Sequence, residues 1–224
     1  MINIYKSQPA PACLEEEKTK KSGTYDCGDV RIRLVQDFFN KCYICEELAP
    51  SSLDIEHFKA HNGDIDLKYA WINLFLACSH CNNAKLNLFD DILNCTDFSR
   101  IITECIKFEI NPFPKERTTI TPLQSDPVVL KTVELLDKVY NGNTIKKVIE
   151  ADNIRSRLID EVSKFSQLLL EYYQPGLNQA DKDELKTKIR RMLSPETAFT
   201  AFKIWVIKRN PELMHEFGNL LPVF

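Results

Sequence analysis

Several features that would assign the chain to a familiar class are missing from its 224 residues. No segment approaches the run of about eighteen apolar residues that a membrane-spanning helix needs. The first residues, MINIYKSQPAP, lack the basic start and apolar run of a secretory signal. Repeats and long low-complexity segments are absent too. We therefore expect a cytoplasmic protein with no membrane partner, and its 44% hydrophobic and 27% charged residues are ordinary for a globular fold.

The sequence also lacks the excess of positive charge that nucleic-acid-binding proteins usually carry. Its formal net charge is −3. Acidic residues outnumber basic ones in the first hundred positions, and the remainder is nearly balanced. A surface that binds nucleic acid would therefore be a local patch, or a partner protein would supply the affinity.

Cysteine, by contrast, is abundant, with eight residues in a chain that has no export signal. This combination favours reduced thiols and metal binding over disulfides. Two Cys-x2-Cys pairs together make a complete tetrahedral thiolate set for structural zinc, and they are formed by Cys42, Cys45, Cys78 and Cys81. The other four are expected to be ordinary thiols: Cys13, Cys27, Cys95 and Cys105.

A zinc finger is the competing interpretation, because His57 and His61 follow the first cysteine pair at nearly the Cys2His2 spacing. The gap is one residue short. A finger also needs an aromatic residue and a leucine in between, and Ala49 and Asp54 occupy those positions. It would leave the second cysteine pair without a role. We therefore favour the four-cysteine site, which leaves both histidines free, and expect His61 and His80 at the surface.

Three residues around this site suit hydrolytic chemistry. His57, with an unperturbed pKa of about 6.5, can take a proton from water at neutral pH. Glu56 and Asn82 offer oxygen ligands, which favour Mg²⁺ or Mn²⁺ over zinc. A histidine that is merely satisfied within a short strand is the alternative for His57.

The arrangement EH…N…CxxCNxxK, enclosed by two Cys-x2-Cys knuckles, closely resembles the HNH endonucleases and their ββα-metal site. The resemblance is carried by residues 42–85. The N-terminal segment, IEHF, WINLFLACSHCNNAK, ILNCTD and TVELLDKVYNGNT together are similar to the PtuB family. Members of that family are HNH effectors of Septu and retron-associated antiphage systems, and they act with the PtuA ATPase.

The resemblance implies a role for each matching residue. His57 matches the general base, and Glu56 with Asn82 would hold one catalytic Mg²⁺ or Mn²⁺ ion against the scissile phosphate. Asn73 matches the central asparagine, which steadies the loop and the histidine ring, and Lys85 could contact a substrate phosphate. Glu56 departs from the usual aspartate by one methylene, which puts the geometry of the metal site in question.

The expected fold class is α+β and mostly helical, with a zinc-stapled ββα-metal nuclease domain and a C-terminal helical domain. The polar start predicts an extended arm over residues 1–29, outside the core. The nuclease domain would span 30–95, and the Pro- and Thr-rich stretch within 96–125 would be a linker. In the helical domain, 126–224, capping residues and prolines predict helices that start at Pro127, at Thr144, at Ala180 and after Ser194-Pro195-Glu196.

The sequence thus predicts a metal-dependent endonuclease that acts in antiphage defence. DNA is the expected substrate, and RNA such as tRNA is the alternative. The expected partners are a PtuA-like ATPase complex and a retron reverse transcriptase with its msDNA. The rival function is a non-catalytic zinc-knuckle module that binds nucleic acid or protein, which would have no need of His57 beside Glu56 and Asn82.

Overall fold

A two-stranded antiparallel sheet lies at the centre of the N-terminal half of the chain. In the computed structural model, which describes residues 1–142 and 145–223, strand β1 (Asp54–His57) pairs with β2 (Leu74–Ala77). The register sets His57 opposite Leu74. Every side chain of β2 is buried, as expected for a continuous apolar strand. Helix α4 (Ser79–Lys85) follows directly, so the chain runs strand, strand, helix.

The N-terminal residues belong to the core, and the expectation of an extended arm over 1–29 outside it is wrong. Met1, Ile2 and Ile4 are buried, and the Ile4 amide donates to the carbonyl of Cys95 at 2.8 Å. Burial of these apolar side chains stabilises the N-terminal segment. The charged run EEEKTKK that follows makes the average composition of the segment polar, which is why its apolar start was overlooked. Short helices follow at α1 (Cys13–Lys18), α2 (Val30–Asp37) and α3 (Ile65–Tyr69).

The segment predicted as a linker, 96–125, contains regular structure. Helix α5 (Ile102–Cys105) leads into a hairpin of β3 (Ile106–Asn111) and β4 (Arg117–Pro122). In β4 the side chains of Thr118 and Ile120 are buried and Arg117 and Thr119 are exposed. β-Branched residues at this alternation favour a strand. The linker prediction for 96–125 therefore missed both a short helix and a hairpin.

The C-terminal part is helical, with α6 (Pro127–Asn141), α7 (Ile145–Tyr172), α8 (Gln179–Met192), α9 (Thr200–Lys208) and α10 (Pro211–Phe217). The Asp126 side chain caps α6 by accepting from the amides of Val128 and Val129, as its sequence predicts. The predicted start at Thr144 lies outside the described residues. None of the described helices combines the length and hydropathy needed to cross a bilayer.

One continuous hydrophobic cluster joins the sheet region to these helices. The Tyr140 hydroxyl, on α6, donates to the carbonyl of Cys45 at 2.8 Å. The rings of Tyr140 and Phe202 pack edge to face with centroids 5.3 Å apart. Strand β4 packs on α6 and β3 packs on α9. The α+β prediction is confirmed. Helix α6 contacts the first cysteine knuckle through the hydroxyl of Tyr140.

Candidate metal centre and adjoining cleft

The four cysteines of the two Cys-x2-Cys pairs converge on one point. All four are buried, and their Sγ atoms lie within 4.8 Å of one another. The Sγ atoms of Cys45 and Cys78 are 3.9 Å apart. Zinc bound to thiolates at about 2.3 Å in a tetrahedron separates its ligands by about 3.8 Å. The predicted four-cysteine site is therefore geometrically sound and could hold a structural ion such as zinc.

Local backbone structure presents each pair of thiols. The first pair lies in a tight turn, where the Cys42 amide donates to Glu47 and the Glu46 amide donates to Cys42, at 3.1 and 2.9 Å. Glu46 adopts a left-handed φ of 59° to close this turn. In the second pair, Cys78 is the N-cap of α4 and Cys81 lies in its first turn. The centre thus joins a loop to the start of a helix.

Two cysteines expected to be free thiols are instead bonded to each other. Cys13 and Cys27 form a disulfide across a sequence separation of 14. Gly28, with a left-handed φ of 45°, lies against Cys13 at the turn that brings Cys27 to the start of α1. Cys95 and Cys105 are buried free thiols, as predicted.

A shallow cleft of about 410 Å³ brings three of the predicted functional residues together. Glu56 and His57 reach it from β1, and Asn82 reaches it from α4. Asn82 follows Cys81 directly, so the cysteine centre fixes the turn of helix that carries it. The remaining lining residues are Tyr25, Ile55, Ala60, His61, Asn62 and Leu86.

The hydrogen bond of His57 determines its tautomer. Its Nε2 atom lies 2.9 Å from the carbonyl oxygen of Lys68, and a carbonyl only accepts, so Nε2 carries the proton. The neutral ring therefore presents Nδ1 as the basic nitrogen. Burial lowers the pKa of His57, the Lys68 carbonyl opposes this, and the charge of His61 adds to the lowering. His57 is neutral at pH 7, the form a general base requires.

Asn73 holds the loop that orients this histidine. Its Oδ1 accepts from the Lys59 amide at 2.8 Å, and its Nδ2 donates to the carbonyls of Lys59 and Leu67, both at 3.0 Å. The Leu67 carbonyl precedes the Lys68 carbonyl that contacts His57. Asn73 thus stabilises the ring through the backbone, without touching it.

Lys85 occupies a different place from the one the sequence predicted. Its Nζ lies 2.7 Å from Oε1 of Glu56 and 3.6 Å from Oδ1 of Asp90, and the side chain is 1% exposed. It also donates to the carbonyl of His57 at 3.2 Å. Contact with a substrate phosphate does not fit this placement, because the ammonium is buried beneath the cleft. Lys85 instead compensates the charge of Glu56.

The Glu56 carboxylate is buried at the base of the cleft. Burial raises the pKa of Glu56 to about 6, and the nearby Lys85 ammonium opposes the rise. Oε1 is engaged by Lys85, and the buried hydroxyl of Tyr43 lies close enough to the carboxylate to lower its pKa as well. Carboxylate and amide oxygens are the ligands that hard divalent cations prefer, so the donor types of Glu56 and Asn82 fit such a cation.

One residue of this region, Tyr25, was not predicted from the sequence. Another, His80, was predicted to lie at the surface. Tyr25 packs its ring against His57 with centroids 4.6 Å apart, and no spacing rule links positions 25 and 57. His80, expected to point outward, contacts Glu150 through Nδ1 at 2.7 Å and the carbonyl of Val139 through Nε2 at 2.9 Å. The turn of α4 directs His80 towards the long helices, so it joins the knuckle to them.

No protein-family model matches the sequence, and no curated protein matches it either.

Proposed function

We propose that the chain is a metal-dependent endonuclease of the HNH type that hydrolyses phosphodiester bonds in nucleic acid. One observation carries the proposal: His57 is held with Nε2 protonated and Nδ1 free, in the same cleft as a carboxylate and an amide. The order β1, β2, α4 and the adjoining cysteines agree with a zinc-stapled ββα-metal domain. A purely structural histidine would not need the acidic partner or the open cleft.

Each of these residues has a separate role in the proposed reaction. Nδ1 of His57 removes a proton from a water molecule, which then attacks the phosphorus in line with the departing 3′ oxygen. A Mg²⁺ or Mn²⁺ ion held by Glu56 and Asn82 would polarise the phosphate and neutralise charge on the leaving oxygen. Asn73 keeps the Lys68 carbonyl in place, so Nε2 stays engaged and Nδ1 remains the basic nitrogen. The structural ion in the cysteine set takes no part in the chemistry.

The proposal for the substrate and the partners rests on the cleft residues and on the net charge of the chain. The cleft residues are suited to a phosphate and offer little to read a base, so sequence preference would come from elsewhere. A formal charge of −3 favours delivery to DNA by a partner, for which a PtuA-like ATPase complex and a retron reverse transcriptase with its msDNA are the candidates. Cleavage would then be an effector step of antiphage defence in the cytoplasm, with tRNA as the second substrate class.

A substrate panel tests the proposal. The chain, alone and with its candidate partners, is incubated with labelled duplex DNA, single-stranded DNA and total tRNA in Mg²⁺, Mn²⁺ or EDTA. We expect cleavage of at least one substrate by the wild type in Mg²⁺ or Mn²⁺, none in EDTA and none with His57→Ala. His215→Ala, an exposed histidine outside the cleft, is the matched control and should cut normally.

A non-catalytic zinc-knuckle module remains the second candidate. It is favoured by the ion pair between Lys85 and Glu56, which already compensates the carboxylate without a metal ion. Under this alternative, nucleic acid or a partner protein binds with equal affinity to the wild type and to His57→Ala, and no condition yields cleavage.

A further inference from the structure

The ring of Tyr25 stands against the ring of His57 and forms one wall of the cleft. Their centroids are 4.6 Å apart with an angle of 75° between the planes, an edge-to-face contact. We propose that Tyr25 is a positioning residue for His57, and that the Cys13–Cys27 disulfide holds Tyr25 in place. This inference rests on the proposed nuclease function. It adds a residue of the N-terminal segment to a cleft otherwise lined by residues within 55–86.

His57 needs a second restraint because its hydrogen bond to Lys68 does not fix the ring. The bond from Nε2 to the Lys68 carbonyl defines one edge, and the ring can still pivot about that direction. An aromatic neighbour at edge-to-face distance restricts this freedom through a favourable ring contact. His61 makes a second ring contact, with centroids 4.8 Å apart. Together these contacts restrict the orientation of the His57 ring within the cleft.

Tyr25 is itself anchored on both sides. Two residues beyond it, Cys27 is bonded covalently to Cys13 at the start of α1. One residue beyond it, Asp26 pairs with Arg31 at 2.5 Å, and Arg31 also donates to the carbonyl of Leu53 at 3.0 Å. Leu53 directly precedes β1, the strand that carries His57.

The tether on the other side is a backbone contact. The amide of Thr24 donates to Oε2 of Glu17 at 3.0 Å, which fixes the residue before Tyr25 to α1. An exposed ion pair adds little stability on its own. The covalent bond between Cys13 and Cys27 is therefore the main restraint on this segment, and its loss would let Tyr25 leave the ring of His57.

The experiment combines NMR of the full chain, labelled at histidine and tyrosine to detect the contact between the two rings, with steady-state cleavage kinetics. The variants are Tyr25→Ala, Tyr25→Phe, and Cys13→Ser with Cys27→Ser. Tyr5→Ala, at a tyrosine that is 73% exposed and outside the cleft, is the matched control. The His57 signal is assigned by its loss in His57→Gln, and zinc content with the far-UV spectrum verifies that each variant is folded.

We expect Tyr25→Ala to lower kcat about tenfold to a hundredfold, with KM changed by less than about twofold. The cysteine variant should lower kcat in the same way and lose the Tyr25–His57 ring contact in the NMR spectra, and Tyr25→Phe and Tyr5→Ala should match the wild type. The inference is overturned if Tyr25→Ala leaves kcat unchanged, if Tyr25→Phe loses as much as Tyr25→Ala, or if the cysteine variant keeps the ring contact. A wild type that cuts nothing overturns the proposed function, and the ring contact measured by NMR still decides the placement of Tyr25.

Discussion

Nζ of Lys85 lies 2.7 Å from Oε1 of Glu56, where both side chains are almost fully withdrawn from solvent. A lysine buried to this extent keeps its charge only beside a carboxylate, and the carboxylate in turn needs the lysine. The pair lies directly below the cleft and supports β1 through the carbonyl of His57. The acid proposed to hold a divalent ion is thus also part of the core.

Loss of the lysine should therefore damage both stability and metal binding. Lys85→Met leaves a buried charge uncompensated, and we expect the free energy of unfolding to fall by about 3 kcal/mol. The pKa of Glu56 should rise further, so that Mn²⁺ binds more weakly at neutral pH. Urea unfolding and Mn²⁺ titration measure the two effects. Lys59→Met, at an exposed position nearby, serves as control, and equal stability of both variants would contradict the buried pair.

Glu56 should also impose a pH dependence on stability. Its pKa is raised to about 6 in the folded chain, so between about pH 4.5 and 6 the folded state binds more protons than the unfolded state. The free energy of unfolding should therefore fall as pH rises through this window and stay level above it. The loss is about 2 kcal/mol, from 1.36 kcal/mol per pKa unit.

Urea unfolding of the wild type and of Glu56→Gln at pH 5 and pH 7 isolates this contribution. The difference between the two pH values should be smaller in the glutamine variant, because its amide does not titrate. The same pH dependence in both proteins would show that Glu56 is not the responsible group.

The cysteine set should carry one structural ion. We expect one zinc per chain in the wild type by elemental analysis. Cys42→Ser should lose both the ion and the folded far-UV spectrum, because binding of a structural ion is part of the folding free energy. Cys105→Ala removes a buried thiol outside the set and should keep the zinc. Retention of zinc in Cys42→Ser would contradict a four-thiolate site.

The disulfide can be tested by counting thiols. Of eight cysteines, six are free, so the chain denatured without reductant and with a chelator should react with six equivalents of a thiol reagent. Reaction of all eight would show that Cys13 and Cys27 are not bonded. Selective reduction should lower the free energy of unfolding by about 3 kcal/mol, as expected for a closed loop of about fifteen residues.

Local sequence signals predicted the elements that depend on local chemistry. The capping residue Asp126 before Pro127 marked the start of α6, and the two Cys-x2-Cys spacings identified the thiolate set. The trio of Glu56, His57 and Asn82 was named from the resemblance to the HNH motif, and the structure brings the three residues to one cleft. The cap and each cysteine pair are recognisable because their residues lie within a few positions of one another.

Contacts between distant segments were not accessible to the same reasoning. Tyr25 meets His57 only because the segment before α2 folds back over β1, and no sequence period encodes that path. The burial of Lys85 depends on Asp90 and Glu56 flanking it in space. The pairing of Cys13 was missed because the absence of an export signal argued for reduced thiols. Tertiary packing decides all three.

The most direct test is to measure zinc content and nucleic-acid cleavage together in His57→Ala. Four thiolates are proposed to hold the structural ion, which leaves the imidazole of His57 free to activate water. We therefore expect His57→Ala to keep one zinc per chain and a wild-type far-UV spectrum and to lose all cleavage. A variant that loses its zinc, or that cuts as fast as the wild type, would contradict this assignment.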